Sequence, residues 1–356
     1  VFLLPWYDYA RAHGLGALRS AFTNYAPAYS YLLIAVARLD GLAAPLVLIK
    51  AVSWSFEFGC AVLAAGIVRT AGAGAISASL AFAGVWLAPT VLFNGAAWGQ
   101  CDALWTFFLL LAVRLYLARK DGAPAFGTAF AVKAQGVFLG PFVLGLIFRR
   151  RVPVTSLAAL PTAYLLAAVP VLVAGRPLGE VAKIYADQAA AFHLLTVNGA
   201  SLWALLGPVV PYALGLPLGL LIAALGGLAL AGLIARARLD EPRVLILAAA
   251  ASVLATPFLL PMMHERYFFA FEVLAIILAA VDRRDLRLAV QAQASGVAAY
   301  LAYNGPPNPP SIAIAAAVNA VLLLTVVRRL YAAGDASAVR APVAEALQPE
   351  LLPSPE

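Results

Sequence analysis

The chain has 356 residues, 63% of them hydrophobic and 12% charged, with a mean hydropathy of +0.91. That balance excludes a soluble domain with a polar shell around one core and points to a membrane protein. The net charge of +7 is dispersed through short loops instead of being gathered on a basic domain, which argues against nucleic acid as a partner and gives the charge a topological meaning.

The chain opens VFLLPWYDYARAHGLGALRSAFTNYAPAYSYLL, without an initiating Met, a basic n-region or a cleavage site. It reads as the continuation of a longer protein whose first span lies upstream, not as a signal peptide. Residues 1–44 are expected to lie on the external membrane face as an amphipathic segment, with Arg11 and His13 in water and Phe2, Leu3 and Trp6 in lipid. Asp8 is the candidate carboxylate of that segment. Apolar windows follow at 45–68, 75–93, 155–174, 212–235 and 311–327, each near the ~18 to 20 residues that cross a bilayer. Their Ala/Leu-rich runs lack the alternation of barrel strands, so they are expected to be helices. Cys60 lies inside one window and Cys101 at the edge of another span, a placement that predicts neither a disulfide nor a metal site.

Basic residues recur at Arg69, Arg119 with Lys120, Arg149 to Arg151, Arg236 with Arg238 and Arg243, Arg283 with Arg284, and Arg328 with Arg329. Placed on the cytoplasmic side, all of them obey the positive-inside rule. Residues 1–44, 94–102, 175–211, 262–266 and the NGPPNPP stretch from Asn304 are then external. The loop 175–211 is read as a candidate second interfacial helix. Residues 125–148 break the alternation, since basic clusters flank them on both sides. Their VKAQG, followed by Pro141, suits a broken re-entrant helix pair that enters and leaves on the cytoplasmic side. The expectation is an all-α polytopic membrane protein with about nine transmembrane helices plus this pair. It comprises an external segment over 1–44, a transmembrane domain over 45–331, and a Pro/Ala-rich cytoplasmic tail over 332–356 whose composition predicts disorder.

Polar residues not explained by topology fall on the external side. Trp98, Gln100 and Asp102 interrupt two apolar runs; they fit an interfacial belt with a helix N-cap as well as a site. Lys133 with Gln135 places an ammonium where insertion costs ~2.5 to 3.5 kcal/mol unless it is paired or hydrated. In MMHERYFF, His264, Glu265 and Arg266 precede an apolar run. Arg266 at a positive helix end is unfavourable unless an anion lies nearby. No phosphate-binding loop, dinucleotide fingerprint, zinc spacing or serine elbow is present.

Four stretches in order resemble the GT-C glycosyltransferases, membrane enzymes that take sugar from a polyprenyl-phosphate carrier: NYAPAYSYLL from Asn24 with Tyr25, NGAAWGQCDALW, AFAVKAQGVFLGPFVL and MHERYFF. The last three look most like the mannosyltransferase and glucosyltransferase branch, and the likeness extends to about Tyr331. Ala26 replaces the first proline of the family's external YPP stretch. The resemblance implies a GT-C-like fold in the inner membrane, a polyprenyl-phosphate-sugar donor, and a glycan, lipid or protein acceptor. Transfer would be inverting and external, with no obligatory metal or cofactor. It also implies Asp102 or Asp8 as the base, Lys133, His264 and Arg266 on the phosphate, Gln100 and Gln135 orienting sugar or phosphate, and Trp98 facing the ring. A transporter or lipid flippase, which also places a broken helix at mid-membrane, is the competing expectation, although no internal repeat is present.

Overall fold

A computed structural model describes residues 3–305 and 309–334. Phe2, part of the NGPPNPP stretch and nearly all of the tail lie outside the described residues, and so do the expectations placed on them. The described chain is almost entirely helical. Helices α1 (Leu4–His13) and α2 (Pro27–Ala37) precede α3 (Pro45–Thr70), α4 (Ala75–Trp86) and α5 (Pro89–Val91), the last continuing as a π-helical turn over Leu92–Ala97. Next come α6 (Asp102–Leu117), the broken pair α7 (Ala123–Val132) and α8 (Gly140–Phe148), then α9 (Ala159–Val173), α10 (Leu178–Ala190) and α11 (Leu202–Leu206). The bundle closes with α12 (Tyr212–Arg236), α13 (Pro242–Leu259), α14 (Phe269–Val281), α15 (Leu286–Asn304) and α16 (Pro309–Ala332). Proline at a first or second position starts α3, α7 and α13, where its missing N–H would have had no helical partner.

Six stretches are long and apolar enough to cross a membrane: Pro45–Thr70, Ala75–Ala97, Val154–Val173, Tyr212–Arg236, Pro242–Leu259 and Ser311–Ala332. Helices also stand at the other places where spans were expected. However, α6 and α14 stop at 16 and 13 residues, and α15 carries Arg287, Gln291 and Gln293. The axis of the bundle is α13. Its best apolar window is 78% buried, and its run from Ala248 to Ala251 lets α12, α14 and α16 approach closely. The corresponding windows of α12 and the α9 span are only 22% and 17% buried, so their leucines form the outer, lipid-compatible surface.

Between α7 and α8 the chain breaks at Lys133, which is extended (φ −156°, ψ 138°), and a 3-10 turn over Ala134–Leu139 restarts it. Gly136 permits the fold-back, because a Cβ there would collide with the backbone N of Phe130. Arg119 before α7 and Arg151 after α8 both bond Asp240, so the pair leaves the bundle at the end where it entered. Those hydrogen bonds, Arg119's foremost, hold the Asp240 carboxyl below the usual range.

At this basic end Asp285 takes a bidentate pair from Arg243 (2.8 and 2.8 Å) and a further bond from Arg329. Four helices close with a left-handed residue under a six-to-one backbone bond. Gly72 and Gly175 do so after α3 and α9 (φ 87° and 101°), and Arg119 and Arg150 after α6 and α8 (φ 59° and 56°). For a residue with a Cβ this conformation costs roughly 1 to 2 kcal/mol.

The opposite end gathers the segments expected to be external. Gln188 of α10 bonds the Asn24 carbonyl. Strand β1 (Thr196–Val197) pairs in parallel with β2 (Met263–His264), and the Met262 N–H donates to the Leu195 carbonyl at 2.8 Å. Tyr7 and Arg11 bond Asp40 at 2.9 and 3.2 Å and hold its carboxyl low, Tyr7's hydrogen bond being the larger cause. The amphipathic pattern expected of α1 is present, with Asp8, Arg11 and His13 exposed. Its apolar face differs from the expectation: Leu3, Tyr7 and Ala10 are buried within the protein, because α2 and α3 offer a packed surface. Helix α10 is amphipathic as well, burying Val181 and Ile184.

Candidate functional site

Asp102 opens α6 at the end of a segment built to turn polar groups inward. The π-helical turn over Leu92–Ala97 adds residues per turn, and Gly99 in the left-handed region (φ 76°) ends it. The Gln100 N–H then reaches back to the Asn94 carbonyl at 2.8 Å, which leaves both side chains buried. Ser53 of α3 holds the segment by donating to the Gln100 carbonyl at 2.6 Å.

Around the fully buried Asp102, three hydrogen-bond donors and a second, ion-paired cation converge. Lys133 Nζ bonds Oδ1 at 2.5 Å, and Trp105 Nε1 donates to the same oxygen at 3.2 Å. Asn94 Nδ2 donates to Oδ2 at 2.9 Å, and Arg266 Nε lies 3.3 Å from that oxygen. The extended Lys133 lets its ammonium leave the hairpin axis and reach α6. Arg266 Nη1 also bonds Glu265 Oε1 at 2.7 Å, and His264 Nδ1 stands 3.6 Å from Glu265 Oε2. Aromatic faces cover both cations. Lys133 Nζ is 5.6 Å from the Tyr25 and Tyr267 ring centres, and the Arg266 guanidinium is 5.4 Å from Trp98 and 5.6 Å from Tyr267.

The cluster is not internally complete. Asn94 Oδ1, Gln100 Oε1, Gln135 Oε1, His264 Nδ1, Glu265 Oε2 and Arg266 Nε are buried without a hydrogen-bond partner. Such atoms cost about 1 to 3 kcal/mol each unless water or a ligand completes them. Two clefts lie beside residues that adjoin the cluster, and none of its charged side chains lines either. One of about 630 Å³ is lined by Trp6, Asn24, Arg176, Lys183 and Gln188 next to Tyr25. The other, of about 490 Å³, contains Thr196, Asn198 and Tyr303, the last with its ring 4.9 Å from Trp98.

Seven of the eleven residues singled out from sequence therefore belong to one neighbourhood: Tyr25, Trp98, Asp102, Lys133, His264, Glu265 and Arg266. Gln100 and Gln135, two residues along the chain from Asp102 and Lys133 respectively, are each buried with an unpartnered oxygen. Asn24 is exposed at the edge of the larger cleft, one residue from Tyr25. Asp8 stands apart. Its side chain is 59% exposed and its ion-pair partner is Arg11 at 3.8 Å.

Sequence reasoning missed Tyr300, whose hydroxyl accepts from Asn94 at 2.8 Å across 206 residues, and gave no role to Asn94, Trp105 or Tyr267. It also passed over two carboxylates buried among the helices. Glu57 packs on Gly95, and Glu272 packs on Gly296 with both oxygens unpartnered. Their signal was a charge inside an apolar window. Among the described residues no group of three or more metal-ligating side chains could hold an ion. No protein-family model and no curated protein matches the chain.

Proposed function

We propose that the protein is an integral-membrane glycosyltransferase of GT-C-like architecture that moves a sugar from a polyprenyl-phosphate carrier to an acceptor hydroxyl. In this reading the site faces the external side of the cell's inner membrane, with the basic end and the C-terminus in the cytoplasm. About nine spans result if α6, α14 and α15 complete their crossings with the turns beside them. The observation that carries the reading is the convergence of Lys133 and Arg266, from distant parts of the chain, on one buried carboxylate beneath aromatic rings. Two cations held in register beside unpartnered polar atoms suit the phosphodiester of the donor and the second charge its phosphate gains as the sugar leaves.

The acceptor oxygen attacks the anomeric carbon from the face opposite the phosphate, that carbon's bond to the phosphate oxygen breaks, and the configuration inverts. Lys133 and Arg266 receive the phosphate, Gln100 and Gln135 fix polar groups of the donor, and Trp98 faces the sugar ring. Asp102 is the base expected from sequence, but it has no exposed surface, three donors already bond its oxygens, and Arg266 is ion-paired with it. Its role in this reading is to hold the cations. The hydroxyl proton goes instead to His264, whose side chain is 12% exposed and backed by Glu265. The carrier would occupy one of the two nearby clefts and a glycan, lipid or protein acceptor the other.

Incubation of the protein with labelled polyprenyl-phosphate-sugar and candidate acceptors tests this. Transfer should occur without added metal and fall at least ~100-fold in Lys133→Ala and in Arg266→Ala; transfer at the native rate by both variants would sink the reading. A broken helix with a lysine at its break also favours a transporter or flippase. That alternative predicts movement of lipid-linked sugar across proteoliposomes with no glycosidic bond formed.

A further inference from the structure

A cavity of about 1040 Å³ lies at the basic end, between the α6–α7 turn and the α8–α9 turn. Its mouth holds Arg119, Lys120, Arg150 and Arg151 with one acidic residue, Asp121. Asp121 is occupied in bonding the Ala123 N–H at 2.9 Å, where it caps α7. Asp240 takes Arg119 and Arg151. Lys120 and Arg150 have no ion-pair partner among the described residues, so the mouth retains positive charge.

Two further observations mark it as more than a topological signal. Of the four left-handed helix caps, the two outside this cavity are glycines, whereas the two on it are Arg119 and Arg150. The chain thus tolerates backbone strain at the two caps that present guanidinium groups to one space. Tyr116, only 5% exposed, also lines the cavity, and its buried hydroxyl has no hydrogen-bond partner. Below the mouth the lining changes to Ala159, Thr162, Ala163 and Leu166 along α9, a descent of roughly 10 Å at helical rise. This helix belongs to the least buried candidate span, and Leu166 is 67% exposed. The cavity therefore opens sideways onto the lipid-compatible surface.

We infer that this cavity is a binding site for an anionic phospholipid, independent of the proposed transfer site. Lys120 and Arg150 take the phosphate, Tyr116 donates to one of its oxygens, and an acyl chain lies along α9 as far as Leu166. A basic pocket open between helices matches the charge and shape of such a lipid, with the head group in the mouth and its tail toward the bilayer. A soluble phosphate would use the mouth but not the apolar descent.

The test is competition on the full chain in detergent micelles, with fluorescent phosphatidylglycerol displaced by phosphatidylcholine, by unlabelled phosphatidylglycerol or by inorganic phosphate. Phosphatidylglycerol should displace the probe at least about tenfold better than phosphatidylcholine, and Arg150→Gly and Lys120→Ala should each reduce that preference about fivefold. Because glycine suits the cap, Arg150→Gly should melt no lower than the native protein. Arg284→Ala, which removes an 82% exposed arginine from the same end, should leave the preference unchanged. Equal displacement by the two lipids would overturn the inference, as would a loss in Arg284→Ala matching that in Arg150→Gly. Displacement by millimolar inorganic phosphate would overturn the lipid assignment in favour of a soluble phosphate ligand.

Discussion

Asp102, at the start of α6, and Asp285, between α14 and α15, are both fully buried carboxylates, and each is met by two cations. Their surroundings differ. The arginines on Asp285 keep 27% and 33% of their side chains exposed, and that cluster leaves no buried polar atom without a partner. Lys133 and Arg266 keep only 7% and 10%, and unpartnered oxygens and nitrogens ring them. The Asp285 cluster is closed: its bonds tie α13 and α16 to the α14–α15 turn, and nothing is left over for a ligand. The Asp102 cluster is open, with its cations fixed in place and its remaining hydrogen-bonding capacity unspent. Burial and charge pairing alone do not separate a structural lock from a binding site; the unspent capacity does.

Removing each carboxylate tests this contrast most severely. Asp102→Ala would strand the buried Lys133 ammonium and leave Arg266 with Glu265 alone, at a cost of about 3 to 5 kcal/mol. Asp285→Ala would leave arginines that can rehydrate, so about 1 to 2 kcal/mol is expected after allowing for their exposure. Thermal unfolding in one detergent, read by the fluorescence of the buried Trp105 and Trp203, measures both. Equal losses would show that the two ends are built alike. The double substitution Asp102→Leu, Lys133→Met should recover part of the stability lost in Asp102→Ala while abolishing transfer, because it removes the stranded ammonium and leaves Arg266 paired with Glu265.

A subtler variant separates the position of Lys133 from its chemistry. Gly136→Ala keeps every charged group but sets a Cβ against the Phe130 backbone, so the 3-10 turn must move away from α7. Overpacking of this kind costs about 1 to 3 kcal/mol. It should also shift the Lys133 ammonium from Asp102 and reduce transfer more than it reduces stability. If Gly136→Ala melts lower but transfers at the native rate, the fold-back does not position the lysine.

Much of this contrast was legible in the chain before any coordinates. Loop charges grouped segments that do meet at the same end of the bundle, since charge bias acts on whole loops and survives errors in helix limits. The hairpin was legible because a lysine, a glycine and a proline inside one apolar stretch have few other accommodations. Convergence on Asp102 could be expected only as a shared side, not as contact. Tyr300 reaches Asn94 from a helix whose local sequence reads as an ordinary span, and only packing brings it there. The role of Asp102 was not legible either. An N-terminal helix position suits a cap or a base, yet the structure shows no side-chain cap on this helix and points the carboxylate at cations from two other segments. The excess of expected spans over the six long apolar ones arises where helices are short or polar: α6 stops at 16 residues, α14 starts only after the Glu265 to Phe268 turn, and α15 carries Arg287, Gln291 and Gln293.

The smallest effect belongs to the outer rim of the closed end. Arg284 bonds Asp282 with three side-chain contacts between 2.6 and 3.1 Å, yet its own side chain is 82% exposed. Arg284's hydrogen bonds, first the side-chain and then the backbone one, lower the Asp282 carboxyl to about 2. A depressed carboxylate contributes stability above its unfolded value, near ~3.9, and loses that contribution as the pH falls towards the folded value. The pair is therefore intact throughout the range in which a membrane enzyme would be assayed. Asp282→Asn should lower the melting temperature slightly and by the same amount at pH 8 and pH 5, with the difference from the native protein shrinking only below about pH 4. A difference that already changes between pH 8 and pH 5 would mean that Asp282 is not held as its bonds to Arg284 require. It would also move part of any acid sensitivity of the protein from the open end to the closed one.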